Sequence, residues 1–200
     1  MFRSQPEPTN PLISSFLEKS QLGLVEDLER MLEENPSIIN STDNRNETAL
    51  IEAARNNQLA AIQCLLNHEA DTEIKSDSGH AAIHWATRVG SLEIVQLLVE
   101  RNPELINQKG PQNWTPFHFA VEGSHAGIVE FLIAQNADVN AIATTKDGRE
   151  FRGIDISTGR IRDLINSQIT PSGDSSALSV ARLQEEEGQK QVGQKTKTGR

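Results

Sequence analysis

Residues 114–140 read WTPFHFAVEGSHAGIVEFLIAQNADVN. His118, His125, Ser124 and Asp138 sit close together in this run, beside Trp114, Phe117 and Phe119. The stretch is either a reactive cluster or one unit of a scaffold. Its relatives elsewhere in the chain decide the matter. ETALIEAARNNQLAAIQCLLNHEADTE, residues 47–73, matches it in phase: Thr48 with Thr115, Leu50 with Phe117, Ala53 with Ala120, Leu65 with Leu132. The pairs Ala70-Asp71 and Ala137-Asp138 also coincide. A third copy is HAAIHWATRVGSLEIVQLLVERNPELIN, residues 80–107, and a fourth without the front motif is FLEKSQLGLVEDLERMLEENPSIIN, residues 16–40. One apolar marker recurs at Leu28, Ile62, Val95 and Val129, in steps of 34, 33 and 34 residues.

Each unit reads as two short helices. Thr115 and Thr48 are placed to cap a helix N-terminus with a hydroxyl, and Pro116 suits the first helical position. Ala53, Ala86 and Ala120 are small enough for close packing of the pair. The second helix carries an apolar stripe, Ile94, Val95, Leu97, Leu98 and Val99 in one unit and Ile128, Val129, Phe131, Leu132 and Ile133 in the next. Neither helix can bury that stripe alone, so neighbouring units must stack. Turn-rich segments at 42–46, 76–79 and 109–113 are expected to form hairpin fingers between units.

A period near 33 that carries Thr115-Pro116-Phe117-His118-Phe119-Ala120 and Ala137-Asp138-Val139-Asn140 resembles the ankyrin repeat. The resemblance covers roughly residues 12–168 and implies an all-α solenoid of stacked helix-turn-helix units with hairpin fingers. The expected order is a flexible N-terminus at 1–11, a polar N-cap unit at 12–43, repeats at 44–76, 77–110 and 111–143, and a truncated C-cap at 144–168. Asp147-Gly148 reads as a further finger tip, and Gly153-Ile154-Asp155-Ile156-Ser157 as a decayed helix start. Residues 169–200 are Ser-, Gly-, Gln- and Lys-rich and are expected to be disordered.

Composition narrows the function. The formal net charge is -9, with residues 1–145 acidic and residues 146–200 slightly basic. An acidic body disfavours nucleic acid as the partner. A single cysteine, Cys64, excludes a disulfide framework within the chain and a Cys-rich zinc site, and its place on the second-helix stripe makes it a small buried hydrophobe. The apolar runs fall short of the ~20 residues of a membrane span, and MFRSQPEPTNP lacks the apolar core of a secretory signal. The expected setting is the cytoplasm or nucleus, or the host cytosol for a delivered bacterial effector.

The reactive-looking side chains have duller assignments. A Ser124, His118 and Asp138 triad needs convergence in a pocket with oxyanion donors, whereas the repeat puts Ser124 in an interhelix turn and Asp138 in a loop. The resemblance makes Thr48, His84, Thr115, Pro116 and His118 structural motif residues, the histidines tying finger backbone to the helices. His80 and His84 have the spacing of two zinc ligands on one helix face, but no third ligand is evident. No cofactor, metal or small-molecule substrate is expected. The resemblance implies a non-catalytic, monomeric adaptor that binds another protein on a concave face of fingers and first helices. An inhibitor that blocks its target's active or DNA-binding surface, a bacterial effector acting on host proteins, and the targeting part of a longer enzyme remain alternatives. On that face the finger candidates are Asp77, His80, Gln112 and Trp114, and the helix candidates are Arg55, Trp85, Arg88, Phe119 and Glu122. Trp85, Trp114 and Phe119 are expected to make one aromatic patch flanked by Arg55 and Arg88. Two further readings stand apart: Lys190, Lys195, Lys197 and Arg200 form a basic end, and Asn107 and Asn140 resemble the family asparagine that some hydroxylases modify.

Overall fold

The structure is a computed structural model and describes residues 10–169. The expected tail beyond residue 169, with its basic end, and residues 1–9 lie outside the described residues. Eight helices pair in chain order: α1 (Pro11–Leu22) with α2 (Val25–Glu34), α3 (Ala49–Arg55) with α4 (Leu59–Asn67), α5 (Ala82–Val89) with α6 (Leu92–Arg101), and α7 (Pro116–Glu122) with α8 (Ala126–Ala134). Helix α1 begins at Pro11, inside the segment expected to be flexible, because the Asn10 side chain caps it by accepting from the Leu12 amide at 2.9 Å. A two-stranded hairpin, β1 (Ile142–Thr144) with β2 (Glu150–Arg152), leads into α9 (Gly153–Ile156) and α10 (Gly159–Ile169). The compact unit ends at Ile165.

The helices form two layers. First helices α1, α3, α5, α7 and α9 touch in sequence, and so do second helices α2, α4, α6 and α8. The recurring markers Leu28, Ile62, Val95 and Val129 all lie in the single core cluster with no solvent exposure. Ile161 and Ile165 of α10 are buried on the same core. Gly153 lets α9 approach α7 closely: a Cβ there would fall 2.6 Å from the Phe117 ring.

Each finger closes with the same backbone bond. The amides of Asp43, Ser76, Gly110 and Thr145 donate to the carbonyls of Glu47, His80, Trp114 and Arg149. The residue before each acceptor, Asn46, Gly79, Asn113 or Gly148, has a positive φ, which Gly and Asn adopt most readily. Neighbouring fingers are laced together, Asp77 N–H to the Arg45 carbonyl at 2.9 Å and Lys75 Nζ to the Lys109 carbonyl at 2.8 Å.

Units leave their second helix in two alternating ways. After α2 and α6, Asn35-Pro36 and Asn102-Pro103 open short 3-10 turns that bury Ile38 and Leu105. Asn40, two residues past the first turn, and Asn107, the last residue of the second, use their side-chain oxygens to accept from the amides of Asp71 and Asp138 at 2.9 and 2.8 Å. After α4 and α8 the chain instead turns through left-handed Glu69 and Asn136, and the smaller Ala70 and Ala137 are buried. Cys64 is buried on α4, and burial raises its thiol pKa, with Glu29 acting in the same direction.

Leu98→Ala, at a fully buried site, is expected to cost about 2–5 kcal/mol by denaturant unfolding. Leu22→Ala, at a side chain 54% exposed, should stay within about 0.5 kcal/mol of wild type.

Candidate functional site

The motif side chains hold the fingers to the helices. Thr48 Oγ1 accepts from the Ile51 amide at 3.2 Å and caps α3. Pro116 occupies the first turn of α7. At the cap of α5, Ala81 offers no hydroxyl, and His84 Nδ1 accepts from the Ala81 amide at 3.0 Å. That fixes the tautomer, so Nε2–H donates to the Gln108 carbonyl at 2.9 Å, 24 residues along the chain. His118 Nδ1 likewise faces the Thr115 amide and accepts from the Thr115 hydroxyl at 2.9 Å. Its Nε2 is buried without a well-formed hydrogen bond, beside the carbonyls of Ala141 and Phe151.

These bonds leave no triad. His118 has no solvent exposure, Ser124 is exposed in the turn after α7, and Asp138 Oδ1 accepts from the Asn140 amide at 3.0 Å. With both ring nitrogens of His84 engaged, the His80 and His84 pair has no lone pair from His84 to give a metal.

The side facing the fingers is built from positions that repeat with the units. The residue before each first-helix cap is Glu47, His80, Trp114 and then Phe151. Five residues later come Glu52, Trp85, Phe119 and Ile156. Eight residues after the first set come Arg55, Arg88 and Glu122. Neighbours therefore meet across units in one line of rings. The Arg55 guanidinium sits 4.6 Å over Trp85, with Arg88 at 5.7 Å. His80 lies 4.9 Å from Trp85 and 5.7 Å from Phe119. Trp114 continues the line, 5.1 Å from Phe119 and 5.6 Å from Phe151 in edge-to-face geometry.

The candidate residues differ in what they present. Asp77, Arg88, Gln112 and Glu122 are exposed, and Arg55, His80, Trp85 and Trp114 are half-buried. Phe119 requires a correction. It is only 5% exposed, enclosed by the rings of His80, His84 and Trp114, so it chiefly supports the line and offers little contact surface of its own. Trp114 is likewise less free than a finger tip suggests, because Phe151 covers one edge of it. Arg55 is bound by two largely buried carboxylates, Glu47 and Glu52, the latter at 3.0 Å. Burial raises the Glu52 pKa, Arg55 opposes that rise and Glu47 adds to it. His80 is pushed toward the neutral form by burial, then by Arg88 and Arg55.

Phe151, Ile156 and Lys146 were not apparent as site residues. Counting back from Asp155 finds the first of them. Asp155 Oδ2 accepts from the Arg152 amide at 2.8 Å and so stands where His118 stands for Thr115. Phe151 then falls in the place of Trp114. The fourth hairpin hides this correspondence because its strands run past the finger closure, Ala143 pairing with Phe151 and Ile142 with Arg152.

Two family models match this arrangement: one for ankyrin repeats in three copies, over residues 18–109, and one for the single ankyrin repeat, over residues 112–144. The chain belongs to the ankyrin-repeat family. It is similar to alpha-latrocrustotoxin-Lt1a of Latrodectus tredecimguttatus, 29% identical over 57% of this chain and 8% of that protein. It is 30% identical to alpha-latroinsectotoxin-Lt1a of the same spider, over 72% of this chain and 10% of the toxin. The human neurogenic locus notch homolog protein 1 is 32% identical over 53% of this chain and 4% of its own length. The chain therefore spans a tenth or less of these relatives. Among the described residues no helix of the ankyrin array is long and apolar enough to cross a membrane.

The cap histidine makes the array sensitive to acid. Burial lowers the His84 pKa from its ordinary 6.5 to about 4, although the Gln108 carbonyl favours the charged ring. Between those values the unfolded chain binds a proton that the folded chain refuses. The contribution of His84 to stability is thus fully present above pH ~6.5 and is lost as pH drops toward ~4, by up to about 3 kcal/mol. His84→Ile, the residue type at Ile51 in the preceding repeat, is expected to reduce the slope of unfolding free energy against pH across that window, measured by denaturant titration; His80 and His118, also held toward the neutral form by burial, keep part of it.

Proposed function

We propose that the chain is a non-catalytic binding module that holds a partner protein against its fingers and first helices. The line of rings from Trp85 to Phe151 carries this reading. Half-exposed aromatic groups and cations are the side chains that anchor protein interfaces, because they bury much area with little loss of conformational freedom. Here they come from four successive units and share one side of the array. The family's repeats serve typically as protein-interaction modules, and an acidic body argues against a polyanion as the target. Trp85, Arg88 and Trp114 are the proposed contact residues. Phe119 and Glu47 support them from below, and Arg55 braces the Trp85 ring.

Affinity capture from a native lysate tests the reading. Trp114→Ala should weaken retention of the specific partner by about 2 kcal/mol, roughly 30-fold. The triple alanine variant of Trp85, Arg88 and Trp114 should abolish it. Arg101→Ala, at an exposed residue of α6 in the second-helix layer, should leave capture unchanged. Retention by the triple variant, or equal loss with Arg101→Ala, would show that the partner binds elsewhere. Trp114→Phe should restore the ring contacts with Phe119 and Phe151, separating lost packing from lost contact.

A further inference from the structure

Trp114 is the wall between two hollows of different chemistry. On one side Trp114, Phe151 and Ile156 line an open cavity of about 530 Å³, with Thr145, Arg149 and Glu150 at its rim. Ile156 is 36% exposed there, in the place that Phe119 fills one unit earlier. On the other side Trp114, Phe119 and His80 line a cavity of about 430 Å³ that also contains Arg88 and Lys146. Glu122 borders both.

The cations of this region are not equivalent. Arg55 is bound to Glu47 and Glu52, Arg45 to Asp43, Arg149 to Asp147 and Arg152 to Asp155. Arg88 and Lys146 are exposed and make no ion pair among the described residues. Two unpaired cations therefore share one hollow with a single carboxylate, Glu122, in a body that is otherwise acidic. At the far end of the same face the sign reverses. Glu18, Asp43 and Glu52 line a smaller hollow against one cation, Arg45.

We propose that this face takes a short segment of a partner protein in which an acidic side chain stands next to a large apolar one, the two straddling Trp114. The inference rests on the binding-module reading and adds the chemistry of the ligand to it. The apolar side chain enters the hollow of Phe151 and Ile156, where removing apolar surface from water drives association. The carboxylate lies between Arg88 and Lys146, which share their hollow with no carboxylate other than Glu122. The acidic end of the face restricts the segment to a local cluster of negative charge, since a long acidic run would meet Glu18, Asp43 and Glu52.

The test is selection of a random peptide library displayed on phage against the immobilised full chain, followed by synthesis of enriched peptides and fluorescence titration. Enriched peptides should carry Asp or Glu within a few residues of Trp, Phe, Leu or Ile. Arg88→Ala and Lys146→Ala should each weaken them about fivefold, and added salt should weaken them further. Glu122→Gln should tighten them about threefold, a gain that no purely structural role would produce. Both cations are exposed, so circular dichroism should show the fold intact in each variant. Peptides that need Trp114 but lack acidic residues and ignore Arg88→Ala would overturn the pairing and leave the binding face standing. Peptides indifferent to Trp114, or no enrichment at all, would overturn both.

Discussion

A pair of helices seven to twelve residues long cannot hide an apolar stripe on its own, and every other feature of this molecule follows from that shortage. Leu28, Ile62, Val95 and Val129 are each fully buried in one core that the stacked units share. Stacking leaves backbone between units that must satisfy its own hydrogen bonds, and the fingers do so with a repeated closing bond at Glu47, His80, Trp114 and Arg149. The motif histidine completes the arrangement. By accepting from one cap and donating to a carbonyl 24 residues away, His84 couples a helix start to the entrance of the next finger. The motif histidines that resemble members of a catalytic set are thus engaged in holding caps and fingers in place.

The same periodicity that builds the core lines up side chains that take no part in it. Position by position the finger-side face changes from carboxylates, Glu47 and Glu52, through His80 and Trp85, to Trp114, Phe119, Phe151 and Ile156. Because the repeat constrains only the capping and stripe positions, these intervening ones are free to differ from unit to unit. Arg55 illustrates the cost of that freedom. It is held by two largely buried acids while its guanidinium lies over the Trp85 ring, and one oxygen of Glu47 and the Nε of Arg55 are buried without partners.

Much of the architecture was legible in the sequence because it depends on local rules: a hydroxyl cap at Thr48, proline at the first turn, and small residues where helices cross. At Thr115 the expected cap is replaced, because its hydroxyl donates to His118 Nδ1 instead of accepting from the helix backbone. The aromatic line was partly legible, since Trp85, Trp114 and Phe119 fall at repeating positions. How deeply each one sits was not. Phe119 is enclosed by rings from His80 and His84, more than thirty residues earlier in the chain, and a count of residues says nothing about such coverage. The lengthened fourth hairpin broke the count itself, so Phe151 and Ile156 escaped notice although Asp155 repeats the role of the motif histidine. The alternation between proline-led and left-handed exits was also hidden, because Glu69 shows no preference that marks it for positive φ.

In each layer a helix touches the helices of the adjoining units. An array of that kind behaves like a row of magnets, each gripping the next, and not like a single knot. Fraying of the first pair, α1 and α2, removes cover from α3 and α4 but leaves the seams around Trp114 and Phe151 sealed. Loss of order can therefore creep inward from an end in steps, and damage at one terminus is graded in its effect on the other.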